Sequence, residues 1–286
     1  MTLQQLKYVV TVAECGNITE AAKQLFVSQP TVTSAIHDLE KEMQIVIFIR
    51  TNKGVILSED GERFLGHARQ VLEQVDLIEG IYKDDVVSKP HFAVSCQHYS
   101  FAVNAFVDVI RRFDAYQYDF TIREEQTHEI IEDVTNLKSE LGVIYLSSKN
   151  TEVLSKMLKR NELEFTELFT ATPHVFICDS HPLASKNSIT MDDLQDYPYL
   201  TYEQGEYNSQ YFSEEFVSTL DSRKNIRVRD RATLFNLIIG LNGYTVCSGV
   251  ISAELNGRNI ISKPLDVEEY MRIGIISRKG VVLSRY

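Results

Sequence analysis

Short hydrogen-bonding side chains share one face of a helical pattern near the start of the chain. Residues 28–40 read SQPTVTSAIHDLE, and helical spacing puts the apolar residues Val32, Ile36 and Leu39 on the opposite face. The polar face carries Pro30, Thr33, Ser34 and His37. The residues expected to approach bases are Gln29, Thr31, Thr33, Ser34 and His37. Small polar groups let a helix sit deep in the major groove, where they can hydrogen-bond base edges. We therefore expect this face to bind DNA; the alternative is a solvated polar face.

Two basic residues follow in a stretch that predicts a β-hairpin. The run IVIFIRTNKGVIL, residues 45–57, has strand-like composition on both sides of a Thr-Asn-Lys-Gly turn and predicts a wing. Arg50 and Lys53 are expected to pair with phosphates or to enter the minor groove. The chain has a net charge of -11, but residues 1–57 hold five basic and five acidic residues. The excess acid therefore lies in residues 58–286, and the first region carries no charge barrier to DNA.

Helix-start signals organise the segment that holds these side chains. Asn17 with Glu20 three residues later is a capping-box variant that predicts the start of a second helix. Ser28 caps a third helix, and Pro30 lies in its first turn, where a missing N–H costs nothing. Three short helices and a wing predict a winged helix-turn-helix domain over residues 1–58.

A long helical pattern over about residues 58–84 comes next, within a linker segment assigned to residues 59–88. Its apolar residues recur at alternating intervals of four and three, which is a heptad pattern with polar residues elsewhere. They are Phe64, Ala68, Val71, Val75, Ile78 and Tyr82. A narrow apolar seam on a helix of this length favours a dimerisation arm. The alternative is that the seam packs against its own domain.

Strand-like and helix-like segments alternate in residues 89–286, which predicts parallel sheets with helices on both faces. The alternation restarts after a hinge-like stretch near residues 161–167, so two α/β lobes are expected. The expected boundaries are about 91–163 with 265–286 for lobe I, and about 164–264 for lobe II. Ligands of such sheets lie at the carboxyl ends of the strands, close to helix N-termini.

Composition argues against secreted and membrane proteins. Hydrophobic residues make up 44% of the 286 residues and charged residues 24%, as in ordinary soluble globular proteins. Lys7, Glu14 and Glu20 interrupt the apolar start, so it does not resemble a signal peptide. No apolar run approaches the roughly 18–20 residues of a bilayer span. We expect a soluble, cytoplasmic protein with no membrane contact.

Enzyme and metal sites lack their usual patterns. The sequence has no GxSxG elbow, no Walker A motif and no GxGxxG after a strand, so no enzyme activity and no catalytic residue are expected. The four cysteines form no CxxC pair, and Cys96 is expected to be a buried strand residue rather than a redox sensor. Four histidines also show no metal-ligand spacing. They are His91, His98, His174 and His181.

The N-terminal motifs resemble a known family. LKYVVTVAECGNITEAAKQLFVSQPTVTSAIHDLEKEM followed by IFIRTNKGVILSEDGERFL is similar to the winged helix-turn-helix of LysR-type transcriptional regulators. The resemblance extends over essentially the whole chain, because FTATPHVFICDSHPLA and DRATLFNLIIGLNGYTVCSG are similar to two segments of the family's second lobe. It implies an α plus α/β fold: a winged helix-turn-helix, a long linker helix, and a two-lobed effector domain resembling periplasmic binding proteins.

The resemblance also implies an effector site between the lobes. The positions that correspond in this chain are Gln97, His98, Tyr99, Ser100, Thr127, Ser147, Thr201 and Tyr202. Ser100 and Thr127 are expected to open helices, where unpaired N–H groups favour an anion; both could equally be simple N-caps. The group favours a small polar anionic effector, such as an amino acid or a sulfur metabolite, and no other cofactor.

Finer similarities and departures accompany this match. SCQHYSFAVNAF and YLTYEQG are similar to the CpsY/MtaR-type subgroup of Gram-positive bacteria, which implies a link to methionine. Met43-Gln44 stands where the family usually has Leu-Gly, so a less tight turn into the wing is expected. Ser34 replaces a common arginine of the recognition helix. The family's final helix would only begin at Arg285-Tyr286, which favours a truncated C-terminus.

These features predict a sequence-specific transcriptional regulator that is switched by a small metabolite. Its expected partners are double-stranded promoter DNA, RNA polymerase, and further copies of the chain in a homodimer or homotetramer. Paired recognition helices would read the halves of a roughly palindromic site. The alternative is a two-lobed solute-binding or small-molecule enzyme domain with a helical N-terminus that does not bind DNA.

Overall fold

The computed structural model describes residues 1–82, 90–113, 117–205, 209, 211–215, 223–251, 259–281, 283–284 and 286. The chain divides into two compact units, one of residues 1–90 with 136–138 and the other of residues 91–135 with 139–286. The described residues include no helix long and apolar enough to cross a membrane.

The first unit has the predicted order of three helices, a hairpin and a long helix. Its elements are α1 (Leu3–Cys15), α2 (Ile18–Gln24), α3 (Gln29–Met43), β1 (Phe48–Thr51), β2 (Gly54–Leu57) and α4 (Glu59–Tyr82). The Asn17 side chain accepts hydrogen bonds from the backbone N–H groups of Thr19 and Glu20, and Ser28 accepts one from Thr31. The predicted starts of the second and third helices are confirmed.

The core of this unit lies between the three short helices. Val32, Ile36 and Leu39 are buried, as the helical spacing of α3 predicts. They pack with Val9 and Val12 of α1 in one apolar cluster that also includes Ala21, Ala22, Ile47 and Leu65. Burial of this face fixes α3 with its polar face outward.

The turn after α3 contains a residue in an uncommon conformation. Gln44 ends the helix with φ 58° and ψ 36°, which is the left-handed region. Its N–H still bonds to the carbonyl of Glu40. Glycine is the usual residue at this position of a helix end because it has no Cβ. The turn therefore keeps its tight geometry without glycine, in contrast to the looser turn that the sequence predicted.

The apolar seam of α4 divides into two parts, which corrects the expectation of one continuous dimerisation seam. Ala68 is buried, and Phe64 packs against the apolar cluster of its own unit. Val71 and Ile78 are 40% and 57% exposed, and Val75 is half-buried. The first heptad positions thus complete the core, and only the later ones are available to a partner. The side chain of Tyr82 lies outside the described residues.

The second unit contains two sheet systems. Its helices are α5 (Ser100–Phe113), α6 (Thr127–Thr135), α7 (Thr151–Arg160) and α8 (Arg231–Leu241). Its strands are β3 (His91–Cys96), β4 (Asp119–Glu124), β5 (Leu141–Leu146), β6 (Leu163–Ala171), β7 (His174–Cys178), β8 (Tyr199–Tyr202), β9 (Asn225–Val228), β10 (Thr245–Cys247), β11 (Ile260–Pro264) and β12 (Met271–Arg278).

Lobe I is built on a five-stranded sheet in the order β4-β3-β5-β12-β6. The strands β4, β3 and β5 are parallel, whereas β12 is antiparallel to both β5 and β6. Lobe II contains the antiparallel sheet β10-β7-β11 and the parallel pair β8-β9. The prediction of parallel sheets therefore holds for the first three strands and for β8-β9 but is wrong for the rest. The strands β6, β10, β11 and β12 pair in antiparallel orientation instead.

The boundary between the lobes differs from the predicted one. The strand β6, residues 163–171, pairs along its length with β12 of the first sheet. The sheets of lobe II therefore begin with His174 rather than near residue 164. The sequence pattern of β6 does not show its partner, because pairing with β12 joins segments about a hundred residues apart. Arg285, where the final helix was expected to begin, lies outside the described residues.

Candidate functional site

The polar face of α3 is presented to solvent. Gln29, Pro30, Thr31, Ser34 and His37 are exposed, and Thr33 is half-buried. Neighbouring side chains order part of this face: Gln29 Nε2 donates to Thr33 Oγ1 over 3.0 Å, and the hydroxyls of Ser28 and Thr31 lie 2.7 Å apart. The first unit thus carries the five residues predicted to approach bases, together with Pro30, on one helix.

The wing places Arg50 and Lys53 on an exposed hairpin of the same unit. Arg50 pairs with Val55 across β1 and β2, and the hydroxyl of Thr51 closes the turn onto the carbonyl of Gly54 over 3.2 Å. Both basic side chains are exposed. The arrangement offers a polar helix face together with two cations, which suits a groove with phosphates on either side.

Sequence reasoning missed the contact that attaches the wing to α3. Glu40 Oε1 accepts hydrogen bonds from the backbone N–H groups of Ile47 and Phe48, over 2.7 and 3.1 Å. A carboxylate near the end of the recognition helix therefore fixes where the wing begins. The LE pair at the end of the motif was the available signal. Phe26, in the turn before α3, is 96% exposed with φ 55°, and it was also not singled out.

In the second unit, six of the eight predicted effector residues lie around a space that we call the effector cleft. Its walls are the loop after β3 (97–100), the start of α6 at Thr127, and residues 202–205 after β8. Gln97 is 1% exposed and bridges three groups: its amide donates to Thr127 Oγ1 over 2.6 Å and its carbonyl accepts from the Tyr99 hydroxyl and the Tyr145 N–H. The structure thus brings these parts of lobe I together.

Both helix starts expected near the ligand are confirmed, since α5 begins at Ser100 and α6 at Thr127. Their groups bond within the protein: the Thr127 N–H donates to Gln204 Oε1 over 3.2 Å, its hydroxyl donates to the Phe212 carbonyl over 2.7 Å, and the Ser100 hydroxyl donates to the Val250 carbonyl over 3.3 Å. At Thr127, the backbone N–H that was expected to bind an anion therefore bonds to the side-chain oxygen of Gln204 instead.

His98 makes close polar contacts through both ring nitrogens and its backbone N–H. Its Nδ1 lies 2.9 Å from Glu214 Oε2, and its backbone N–H donates to the same oxygen over 2.8 Å. Its Nε2 lies 3.0 Å from the Arg229 carbonyl, which can only accept, so Nε2 carries a proton and donates it. Burial lowers the pKa of His98, but Glu214, Glu124 and the Arg229 carbonyl together raise it more, and the net pKa lies above the ordinary value. The imidazole ring stacks on Tyr202, with ring centroids 3.9 Å apart.

Two predicted residues do not take part in this arrangement. Ser147 is buried, and its N–H donates to Asn150 Oδ1 over 2.7 Å in the turn before α7. Thr201 is half-buried within β8, where it pairs with Arg227. Neither residue lines the two cavities at the cleft.

One of these cavities is small and the other is large. The small one, of about 30 Å³, has room for a water molecule; its lining includes Ser100, Tyr202, Glu214, Arg231 and Thr245. Among the described atoms, Thr245 Oγ1 and Arg231 Nη1 have no hydrogen-bond partner. The large one, of about 530 Å³, is lined by four glutamates together with two histidines and one arginine. These glutamates, histidines and arginine are Glu124, Glu125, Glu129, Glu132, His98, His128 and Arg229.

Two cysteines of the second unit, Cys96 and Cys247, have thiols with raised pKa values. Cys96 is fully buried in β3, and burial, with Glu124 and Glu214 adding to it, raises the pKa of its thiol. Burial also raises the pKa of the Cys247 thiol. A thiol with a raised pKa holds little thiolate, the reactive form. The described residues contain no cluster of three or more His, Cys, Asp or Glu side chains that could hold a metal ion.

Comparisons with known proteins agree with this arrangement. Residues 3–62 match the model of the bacterial regulatory helix-turn-helix proteins of the lysR family, and residues 95–286 match that of the LysR substrate binding domain. YvbU of Bacillus subtilis (strain 168), an uncharacterized HTH-type transcriptional regulator, is 27% identical over 72% of this chain and 67% of its own length. OxyR of Escherichia coli (strain K12), a DNA-binding transcriptional dual regulator, is 23% identical over 100% of this chain and 92% of its own.

Solved structures extend the likeness to the fold. The structure of a full-length OxyR variant from Pseudomonas aeruginosa superposes with a TM-score of 0.65 and 22% identity, covering 97% of this chain and 89% of that one. Two family models in tandem, one on each unit, do not favour the alternative of a two-lobed solute-binding or enzyme domain with a helical N-terminus that does not bind DNA. The chain belongs to the LysR family of regulatory helix-turn-helix proteins, with a DNA-binding domain followed by a substrate-binding domain.

Proposed function

We propose that the chain is a cytoplasmic, sequence-specific transcriptional regulator whose DNA binding is switched by a small metabolite in the effector cleft. The observation that carries this proposal is the exposed polar face of α3 together with a wing that bears two cations, in the same chain as a cleft-bearing domain of the same family. Gln29, Thr31 and Thr33 contact bases, and Arg50 and Lys53 contact phosphates.

An exposed apolar surface of α4 supports the same proposal. The exposed later part of the α4 seam, at Val71 and Ile78, is an apolar surface suited to the same helix of a second copy. A dimer presents two recognition helices to a roughly palindromic promoter site, and a tetramer would present two such pairs. RNA polymerase is the partner on which such a promoter-bound assembly would act.

The effector that we propose is an amino acid or a related sulfur compound. The polar residues of the cleft suit a carboxylate, while the large acidic cavity disfavours a ligand that is only negative. A ligand with both a carboxylate and an ammonium group meets both conditions. A calorimetric screen of the common amino acids and their sulfur derivatives against the full chain tests this choice, and no binding by any of them would count against it.

The DNA assignment is tested with two variants. Arg50→Ala should weaken binding to every DNA sequence by roughly tenfold and reduce the salt slope by about one, because one phosphate contact is lost. Thr33→Ala should instead change which sequences are preferred. Fluorescence anisotropy with promoter DNA at several salt concentrations gives both readouts. Lys156→Ala, an exposed lysine of α7, is the control and should change neither. Unchanged binding by both test variants would sink the assignment.

A further inference from the structure

The carboxylate of Glu214 is held as a bound ligand would be held. Oε2 accepts from the His98 backbone N–H over 2.8 Å and from Nδ1 over 2.9 Å, and Oε1 accepts from Nδ1 over 3.0 Å and from Gln204 Nε2 over 3.3 Å. A backbone N–H, an imidazole ring and an amide converge on one carboxylate. Charge-assisted bonds of this kind are the strong ones in carboxylate recognition.

The residues beside Glu214 also accept hydrogen bonds from donors of the cleft. The carbonyl of Phe212 accepts from the Thr127 hydroxyl over 2.7 Å, and that of Ser213 accepts from the Tyr145 hydroxyl over 3.0 Å. Glu215 Oε1 accepts from the Tyr202 N–H over 2.7 Å. Donors from both lobes are thus met by acceptors of one short segment, residues 212–215. Three of the positions that the family resemblance assigns to the effector, His98, Thr127 and Tyr202, bind this segment.

Burying two adjacent carboxyl groups of this segment in the cleft costs free energy of hydration. Glu214 and Glu215 are 5% and 2% exposed, and they are adjacent in the chain. Burial, reinforced by the charge of Glu214, raises the pKa of Glu215 to about 8, so this second carboxyl group is protonated at neutral pH. Two buried carboxyl groups side by side are kept only where specific partners compensate for lost hydration. A ligand that takes over the bonds to His98 relieves part of that cost.

We propose that Glu214 is an internal ligand of the effector cleft, and that the carboxylate of the effector displaces it from His98. The inference rests on the proposed function, because it assigns the regulation of the same cleft. The site selects compounds with a carboxylate, and an ammonium group on the same compound offsets the charge of the nearby glutamates. Binding then releases residues 212–215 from contacts with both lobes, which couples the ligand to the arrangement of the lobes.

The test uses acetate as the probe, so that it does not depend on identifying the effector. In Glu214→Ala, acetate should occupy the emptied carboxylate position and raise the Tm by about 4 °C at ten times its Kd. The wild-type chain should show a much smaller shift at the same acetate concentration. Acetamide, which lacks the charge, should have no effect. Glu164→Ala, an exposed glutamate of β6, is the matched control and should behave as wild type.

Further measurements make the outcome decisive. Acetate should shift the imidazole NMR signals of His98 in Glu214→Ala, and His98→Ala combined with Glu214→Ala should abolish the thermal effect. If Glu214→Ala does not fold, Glu214→Gln keeps the shape without the charge, and acetate should stabilise it more than wild type. Equal acetate response in all variants would overturn the inference.

The inference and the proposed function can fail separately. Acetate binding at His98 in a chain whose promoter binding responds to no metabolite would support the internal ligand and refute the switch. The opposite result has three parts: promoter binding responds to a metabolite, Glu214→Ala keeps the same metabolite affinity, and acetate does not bind. It would support the switch and refute the internal ligand.

Discussion

The recognition helix and the effector cleft satisfy their polar groups in opposite ways. On α3, side-chain bonds join residues three or four positions apart, such as Ser28 with Thr31 and Gln29 with Thr33, and the remaining capacity faces solvent. In the cleft, bonds join residues far apart: Gln97 with Thr127, 30 positions away, and His98 with Glu214, 116 positions away. A surface for DNA can be encoded locally, whereas the cleft exists only once distant segments have met.

The largest expected effect follows from removing the contact between His98 and Glu214 in the cleft. His98→Ala leaves the Glu214 carboxylate, with its side chain 4% exposed, without its ring partner. The free energy of unfolding of the second unit should fall by about 3–5 kcal/mol, because the buried carboxylate keeps only the backbone N–H of residue 98 and the Gln204 amide as partners. Urea unfolding followed by far-UV circular dichroism measures it.

A second histidine provides the control for that measurement. His91→Ala removes an imidazole that is 65% exposed on β3, and stability should change by no more than about 0.5 kcal/mol. Equal small losses in the two variants would show that the His98–Glu214 contact contributes little.

A pH series sharpens the same contrast. The pKa of Glu215 is raised to about 8 by burial and by Glu214, above its ordinary value of 4.5. Between these two values the folded chain holds a proton that the unfolded chain releases, so stability should fall as pH rises from about 5 to about 8. Glu215→Gln removes this contribution, and its stability should depend less on pH over that window. Urea midpoints at several pH values give the comparison; parallel curves for variant and wild type would contradict it.

The smallest effect concerns the first unit and has the opposite sign. Gln44→Gly relieves a left-handed conformation in a residue with a Cβ, so it should stabilise that unit by about 1 kcal/mol. Gln70→Gly, within α4, should destabilise it by about 1 kcal/mol, because that glycine gains no such relief. Thermal unfolding measures both. DNA affinity should stay unchanged in Gln44→Gly; a loss of affinity would mean that this turn helps to position the wing.

The sequence alone determined most of the first unit. Caps at Asn17 and Ser28, the buried face of Val32, Ile36 and Leu39, and the hairpin around the Thr-Asn-Lys-Gly turn all depend on residues close together in the chain. Such features follow from helical spacing and local hydrogen bonding, so they could be predicted without a fold. The helix starts at Ser100 and Thr127 were predictable for the same reason.

Only the tertiary structure decided which groups face one another. It assigned β6 to the sheet of lobe I, drew the first part of the α4 seam into a core, and placed Glu214 against His98. The heptad pattern of α4 does not show which surface the seam packs against. Strand pairing and buried ion pairs have no periodic signal, because they join segments that are remote in sequence. The cleft is therefore a product of chain topology, whereas the DNA-facing helix is a product of its own residues.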